Sequence, residues 1–201
     1  MKNYERYINT TAEEYQKENE KTLMYYLFRI PSNKILLPLI DNIKGKKVLD
    51  VGLGTGWYTK LLFKDNNVIG IDRNPHLCSL PIKVHQGDAT QLCELAGDEK
   101  FDVVFSTWMT EYLNEGQLQQ FFSEAKKTLK DNGRLMTTVI SKCGFGFLYI
   151  TAAKTIRGIV KYNYSRKQVL DMLREAGFAD IKIINLSSWL YIPWAYVVVA
   201  G

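Results

Sequence analysis

The sequence predicts an α/β protein in which helices cover both faces of a mostly parallel sheet. Short apolar runs alternate with helical stretches along the chain, which is typical of strand–helix–strand units. One of these runs, 101–105, is nearly all apolar, as expected for a strand that is covered on both faces. With 201 residues and 46% hydrophobic content, the chain fits one domain with a sizeable core.

An N-terminal helical cap, residues 1–44, is predicted to precede the sheet. Residues 4–28 have a helical pattern, and Pro31 is expected to end or bend that helix before a second one that runs to Ile40. The first residues are polar and charged, so we expect no signal peptide. Three cysteines in no metal-ligand spacing indicate a reducing, cytoplasmic setting.

The first strand, Lys47–Val51, leads into a turn with glycines at alternate positions, Gly52, Gly54 and Gly56, and then into a helix. Glycine permits a positive φ and close approach of a ligand to the backbone, and the helix start offers free N–H groups. Dinucleotide-binding turns have the different spacing G-x-G-x-x-G. Asp50 would repel a pyrophosphate but suits the amino and sulfonium groups of S-adenosylmethionine (SAM).

This arrangement of one acid and three glycines, residues 50–56, resembles motif I of the class I SAM-dependent methyltransferases. The resemblance extends from Lys47 to about Val139. It implies a three-layer α/β/α fold whose seven-stranded sheet has an antiparallel last strand. It also implies SAM as cofactor and S-adenosylhomocysteine (SAH) as product, and a cap whose tyrosines close over the cofactor, with plain packing as their alternative role.

Two further acids follow the next two predicted strands. Asp72, after strand 67–71, is placed to accept both hydroxyls of a ribose, and capping the next turn is its alternative role. The resemblance implies that Asp88 contacts the adenine amino group, whereas the same side chain could cap a helix near Thr90. The complete predicted cofactor set is Asp50, Gly52, Gly54, Gly56, Asp72, Arg73, Asp88, Ala89 and Thr107.

The remaining elements follow in order along the chain. We expect strands at 82–85, 101–105, 134–140, 181–184 and 195–200, and helices at 117–129 and 165–176. The resemblance implies that the last two strands form a hairpin whose tip, residues 187–194, lies at the ligand-binding edge of the sheet.

A basic amphipathic insert, residues 142–164, interrupts this pattern. All of the excess in the net charge of +5 lies between residues 141 and 167, where six basic residues occur without an acidic one. Helical spacing predicts that Lys154, Arg157 and Lys161 share one face. An anionic membrane surface, a protein partner and nucleic acid are the candidate ligands of this face, and plain solvation is the alternative.

Aromatic residues near the predicted ligand edge indicate an acceptor with a large apolar surface and anionic character. The candidate substrate contacts are Trp108, Tyr112, Trp189 and Trp194, for which core packing is the alternative. Glu111 is the candidate base, with an N-cap or an exposed helix position as its alternative. The sequence has no obvious cluster of carboxylates of the kind that would hold a catalytic metal ion.

These patterns predict a methyltransferase that acts on a small apolar or lipid-like acceptor. One alternative is a SAM-binding subunit without catalysis that docks a protein or membrane. Others are an RNA or protein methyltransferase and a nicotinamide-dependent oxidoreductase, although the glycine spacing and Asp50 argue against the last.

Overall fold

The computed structural model describes residues 7–19 and 21–201, so residues 1–6 and Glu20 of the predicted cap lie outside the described part. The cap contains helix α1 (Ala12–Asn19) and a π-helical turn (Tyr25–Arg29) that runs directly into helix α2 (Ile30–Asp41). Of the two predicted effects of Pro31, an end of the helix is therefore wrong, and a bend stays a prediction. Pro31 occupies the first turn of α2, a position at which proline is common.

The sheet has seven strands in the order β3-β2-β1-β4-β5-β7-β6. All strand pairs are parallel except those of β7, which runs antiparallel to β5 and β6. This sheet confirms the predicted fold class. The strands are β1 (Lys47–Val51), β2 (Asn67–Asp72), β3 (Lys83–Gln86), β4 (Phe101–Ser106), β5 (Leu129–Ile140), β6 (Ile181–Ser187) and β7 (Pro193–Ala200).

The helices that connect the strands are α3 (Thr59–Phe63), α4 (Leu92–Ala96), α5 (Glu115–Thr128), α6 (Gly144–Arg157) and α7 (Arg166–Glu175). The predicted N-cap of α7, Ser165, accepts a hydrogen bond from the Gln168 backbone N–H in a capping box. Strand β5 begins earlier than predicted because its pairing with β4 shifts register between Phe101 and Val103, which accommodates the predicted turn at 131–133.

The core lies on both faces of the sheet. Leu49 and Val51 pack in one buried apolar cluster with residues of α5 and α7, whereas Val48 packs in a second cluster with residues of α2 and α3. Successive side chains of a strand point to opposite faces, so β1 needs apolar residues on both sides. Asp50, near the carboxyl end of the strand, is the exception, because it is acidic and yet buried.

The insert departs from its prediction. Helix α6 ends at Arg157 because Gly158 adopts a left-handed C-cap conformation, with φ +64°. Lys161 follows in an irregular segment and is buried, while Lys154 is exposed and the side chain of Arg157 lies outside the described part. The predicted basic face through Lys161 is therefore wrong. Within the described ranges, none of the helices combines the length and apolar character needed to cross a membrane.

Candidate cofactor and acceptor site

The glycine-rich turn after β1 has a conformation that favours glycine at all three positions. Gly52, Gly54 and Gly56 have φ values of +74°, +55° and +78°. A β-carbon on Gly52 would lie 2.3 Å from Cγ of Met109, so a larger residue would have to displace that side chain. The backbone N–H of Gly54 donates to Oδ2 of Asp72 at 2.8 Å, which ties the turn to the end of β2.

Asp72 is buried at the carboxyl end of β2 and is hydrogen-bonded through both oxygens. Its Oδ1 accepts from the Tyr7 hydroxyl and from the Asn74 backbone N–H, each at 2.8 Å. The Asn74 side chain in turn donates to the carbonyl oxygens of Tyr7 and Thr10. These hydrogen bonds hold residues 7–10 of the cap against Asp72, the predicted ribose-binding carboxylate.

Asp50 lies beneath the turn, where its Oδ2 accepts a hydrogen bond from the Thr59 hydroxyl at 2.7 Å. Burial raises the pKa of Asp50 to about 7, although the Thr59 hydrogen bond acts in the opposite direction. Asp50 therefore titrates close to neutral pH.

Asp88 follows β3 and makes two kinds of contact. Its Oδ1 accepts from the backbone N–H and hydroxyl of Thr90, so it caps the short turn there, as its alternative role predicts. Its Oδ2 pairs with Arg73. Burial acts to raise the pKa of Asp88, but the Thr90 and Arg73 hydrogen bonds outweigh it and lower that pKa. Ala89 beside it is buried. An adenine contact stays a prediction.

A small cleft of about 40 Å³ opens beside the glycine turn at the carboxyl ends of the strands. Five of its lining side chains are aromatic and one is cationic. Of the predicted site residues, Gly52, Thr107 and Trp108 line it, and sequence reasoning missed Arg29. The lining residues are Tyr15, Tyr25, Arg29, Gly52, Leu53, Thr55, Trp57, Tyr58, Thr107 and Trp108.

Residues 49–137, which include the glycine turn and the first four strands, match the family described as a methyltransferase domain. Residues 49–137 are a methyltransferase domain, and the fold of the chain is that of the class I SAM-dependent methyltransferases. The cofactor of this class is SAM. The match covers 89 of the 201 residues, among them the turn, Asp72 and Asp88, whereas the cap and the residues after 137 lie outside it.

Two relatives and a solved structure are similar to this chain over different shares of their lengths. An uncharacterized protein of Methanocaldococcus jannaschii is 27% identical over 85% of this chain and 80% of its own length. The phosphoethanolamine N-methyltransferase of Triticum aestivum is 26% identical over 50% of this chain and 22% of its own length. The fold is similar to that of magnesium protoporphyrin IX methyltransferase from Synechocystis, with 14% identity, a TM-score of 0.70, and coverage of 99% of this chain and 94% of that one.

In this methyltransferase, Trp108 and Trp194 form a stacked pair behind the cleft. Their rings lie 5.1 Å apart and are inclined by 6°. The Trp108 backbone, at φ +59°, donates to the Thr138 hydroxyl, and the Trp194 indole N–H donates to the Ser32 hydroxyl. Trp194 is completely buried, so it is a core residue that supports Trp108 and presents no surface to an acceptor.

The hairpin tip between β6 and β7 lies beside the π-helical turn of the cap. The backbone N–H of Trp189 donates to the carbonyl oxygen of Leu27 at 2.9 Å. The Trp189 side chain is 55% exposed, and Tyr191 is 77% exposed. The tip therefore carries aromatic surface into solvent, and a substrate contact of Trp189 stays a prediction.

A buried ionic cluster, which we call the Glu111 cluster, joins Arg29, Glu111, Tyr149 and Lys161. Oε1 of Glu111 lies 2.5 Å from the Lys161 ammonium and 3.2 Å from a guanidinium nitrogen of Arg29. The Lys161 ammonium also donates to the Tyr149 hydroxyl at 2.9 Å. The backbone N–H of Tyr162 donates to the Glu111 carbonyl oxygen, which holds the segment after α6 against the turn after β4.

The Glu111 cluster keeps its two cations charged. Burial acts to lower the pKa of Lys161, but the neighbouring Glu111 carboxylate outweighs it, so that pKa is raised. Arg29 behaves in the same way, with Tyr149 and Glu111 opposing the effect of burial. The Lys161 ammonium also lies 5.0 Å from the ring centre of Tyr112, a predicted substrate contact. Glu111 thus lies between two cations, and one of them, Arg29, lines the cleft.

Proposed function

We propose that this methyltransferase transfers the methyl group of SAM to a small apolar or lipid-like acceptor bound in the aromatic cleft. The observation that carries the proposal is the lining of the cleft, which runs from the glycine turn to Trp108 and presents five aromatic side chains. Apolar and aromatic walls with few polar groups are typical of small-molecule sites. The acceptor would therefore lie beside the cofactor turn.

The residues around the turn fit SAM. Three positive-φ glycines leave the backbone open to close approach, and a buried carboxylate stands at the end of the next strand. We assign the methionine part to the turn and Asp50, and the ribose to Asp72. The adenine would contact Asp88 and Ala89, with Arg73 and Thr107 at the borders of the site. When bound, SAM supplies a methyl group on a positively charged sulfur.

The contribution of the chain is to orient the two reactants and to exclude water. Alignment of bound reactants can account for a large share of a catalytic rate enhancement. We assign the cover of the cleft to Tyr15 and Tyr25 of the cap and to Trp57. Glu111 would hold Arg29 and Lys161 in place through its ion pairs. Its predicted role as a base stays a prediction.

Two observations support a small or lipid-like acceptor. One relative is named for phosphoethanolamine and one structural neighbour for magnesium protoporphyrin IX, which are both small molecules. In addition, three segments carry large exposed apolar side chains, on which an anionic membrane surface could dock. These side chains are Leu23, Tyr26 and Ile30 of the cap, Phe147, Leu148 and Ile156 of α6, and Trp189, Leu190, Tyr191 and Ile192 of the hairpin tip.

The proposed function is tested by methyl transfer from SAM that is radiolabelled in the methyl group. The full chain is incubated with separate pools of fatty acids, phenols, amines, RNA and protein, and label is counted in each pool. We expect label in a small-molecule pool and its loss in Asp72→Asn. Label confined to the RNA or protein pool would contradict the proposed acceptor, and an absence of label in every pool despite SAM binding would favour the subunit without catalysis.

A further inference from the structure

We propose that the acceptor carries a singly charged oxyanion, such as a carboxylate, and that Arg29 and Lys161 form the site that recognises it. This inference rests on the proposed function, because it concerns the acceptor of the same cleft. It assigns a chemical class to the acceptor and a specificity-determining role to two residues outside the matched family region.

Arg29 places a cation in the wall of the cleft. Among the described residues, it is the only charged one in the lining, and its guanidinium carbon lies 5.0 Å from the ring centre of Trp108. Within the described part of the chain, its side chain makes one hydrogen bond, to Oε1 of Glu111. Because a guanidinium has five N–H donors in a planar fork, several remain for a ligand. A carboxylate is the ligand group that matches this fork.

The charge of the Glu111 cluster points to the same ligand. Two buried cations, Arg29 and Lys161, face one carboxylate, so among the described residues the cluster carries one unmatched positive charge. Burying an unmatched charge is costly, and an anion in the adjacent cleft would offset that cost. The Lys161 ammonium donates hydrogen bonds to both Glu111 and Tyr149. It therefore adds to the positive electrostatic potential near Arg29.

The position of the cluster favours the acceptor as the source of the oxyanion. Glu111 follows β4, and Lys161 lies in the segment that follows β5 and α6, whereas the glycine turn follows β1. The methionine part of SAM also has a carboxylate, which is the same chemistry from a different molecule. An experiment must therefore measure the cofactor and the acceptor separately.

Isothermal titration of the full chain, saturated with SAH, compares octanoate with 1-octanol as probes. The two have the same apolar chain and differ in the carboxylate. We expect octanoate to bind roughly 10-fold more tightly than octanol or better, as a charge-assisted hydrogen bond allows. Equal affinities would overturn the proposal, and this comparison needs no variant.

Variants then identify the residue. Arg29→Gln should weaken octanoate binding about 10-fold and leave octanol and SAH binding within about twofold, since one charge-assisted contact is lost. Arg29→Lys retains the charge and should recover part of the octanoate affinity. Lys154→Gln removes an exposed cation of α6 and is the matched control that should change neither.

Two outcomes separate the sources and the hypotheses. If Arg29→Gln weakens SAH as strongly as octanoate, the guanidinium holds the cofactor carboxylate and the proposal is wrong. If wild-type protein does not bind SAH, the proposed function fails. In that case, the octanoate and octanol titrations are repeated without SAH, and their difference in affinity tests the oxyanion site independently of the cofactor.

Discussion

At the scale of single residues, the buried carboxylate of Asp50, a predicted cofactor contact, makes the stability of the protein depend on pH. Its pKa rises from 3.8 to about 7 because it is buried. Between these values the folded protein retains a proton on Asp50 that the unfolded chain has lost. The free energy of unfolding is therefore expected to fall as pH rises through this window, by up to about 4 kcal/mol at roughly 1.4 kcal/mol per pH unit.

Replacing Asp50 by Asn should stabilise the protein and weaken cofactor binding. An amide oxygen can still accept the Thr59 hydrogen bond, while the cost of a buried charge disappears. Urea unfolding at pH 8 should show a gain of about 1–4 kcal/mol for Asp50→Asn, and the gain should vanish near pH 4. SAM affinity should fall in the same variant. A pH-independent gain would show that Asp50 is not the titrating group.

Gly52→Ala tests the need for an open backbone at the turn, with Gly45→Ala as the matched control. Both glycines have a positive φ, of +74° and +64°, so backbone strain alone should cost each variant roughly 1–2 kcal/mol in unfolding free energy. A β-carbon at Gly45 meets nothing within 4 Å, whereas one at Gly52 meets Met109. Only Gly52→Ala should weaken SAH binding in a titration. Equal SAH affinity in both variants would contradict the placement of the cofactor.

At the scale of elements, the start of the cap competes for the carboxylate that is assigned to the ribose. Tyr7 donates to Oδ1 of Asp72, and a ribose hydroxyl would use the same acceptor. Tyr7→Phe removes this competitor, so SAH should bind about fivefold more tightly, the value of one ordinary hydrogen bond. Tyr26→Phe, at an exposed position, is the control. Weaker SAH binding in Tyr7→Phe would mean that Tyr7 closes over the bound cofactor.

The hairpin tip contains two tryptophans with opposite environments. Trp194 is completely buried against Trp108, whereas Trp189 is largely exposed. Trp194→Ala should lower the unfolding free energy by about 3–5 kcal/mol, the usual cost of a large core truncation. Trp189→Ala should change it by about 0.5 kcal/mol or less. Chemical denaturation of the two variants measures both values, and similar losses would contradict the assigned packing.

The sequence predicted the sheet and the glycine turn because both depend on local patterns. Alternating apolar strands, the glycine spacing and the Asp72 position are readable within short windows. The Glu111 cluster was not predicted, because its cations come from residues 82 and 50 positions away from Glu111. Lys161 had helical spacing with Lys154, and only the C-cap at Gly158 removes it from the helix.

At the scale of the whole molecule, the cleft is lined both by the region that matches the family and by the cap, which lies outside that region. Residues 49–137 match the methyltransferase domain family and carry the turn and the strand-end acids. Arg29, Tyr15 and Tyr25 come from the cap, which also lines the cleft, and Lys161 comes from the segment after α6. We propose that the family region holds the cofactor and that these additions select the acceptor.

The most direct test of this account is a calorimetric titration of SAH into the wild-type protein and Asp72→Asn, with NADH as the control ligand. We predict that SAH binds, that NADH does not, and that Asp72→Asn weakens SAH about 10-fold or more because charge-assisted contacts to the ribose are lost. Binding of NADH, or equal SAH affinity in the wild type and Asp72→Asn, would contradict the assignment of the cofactor site.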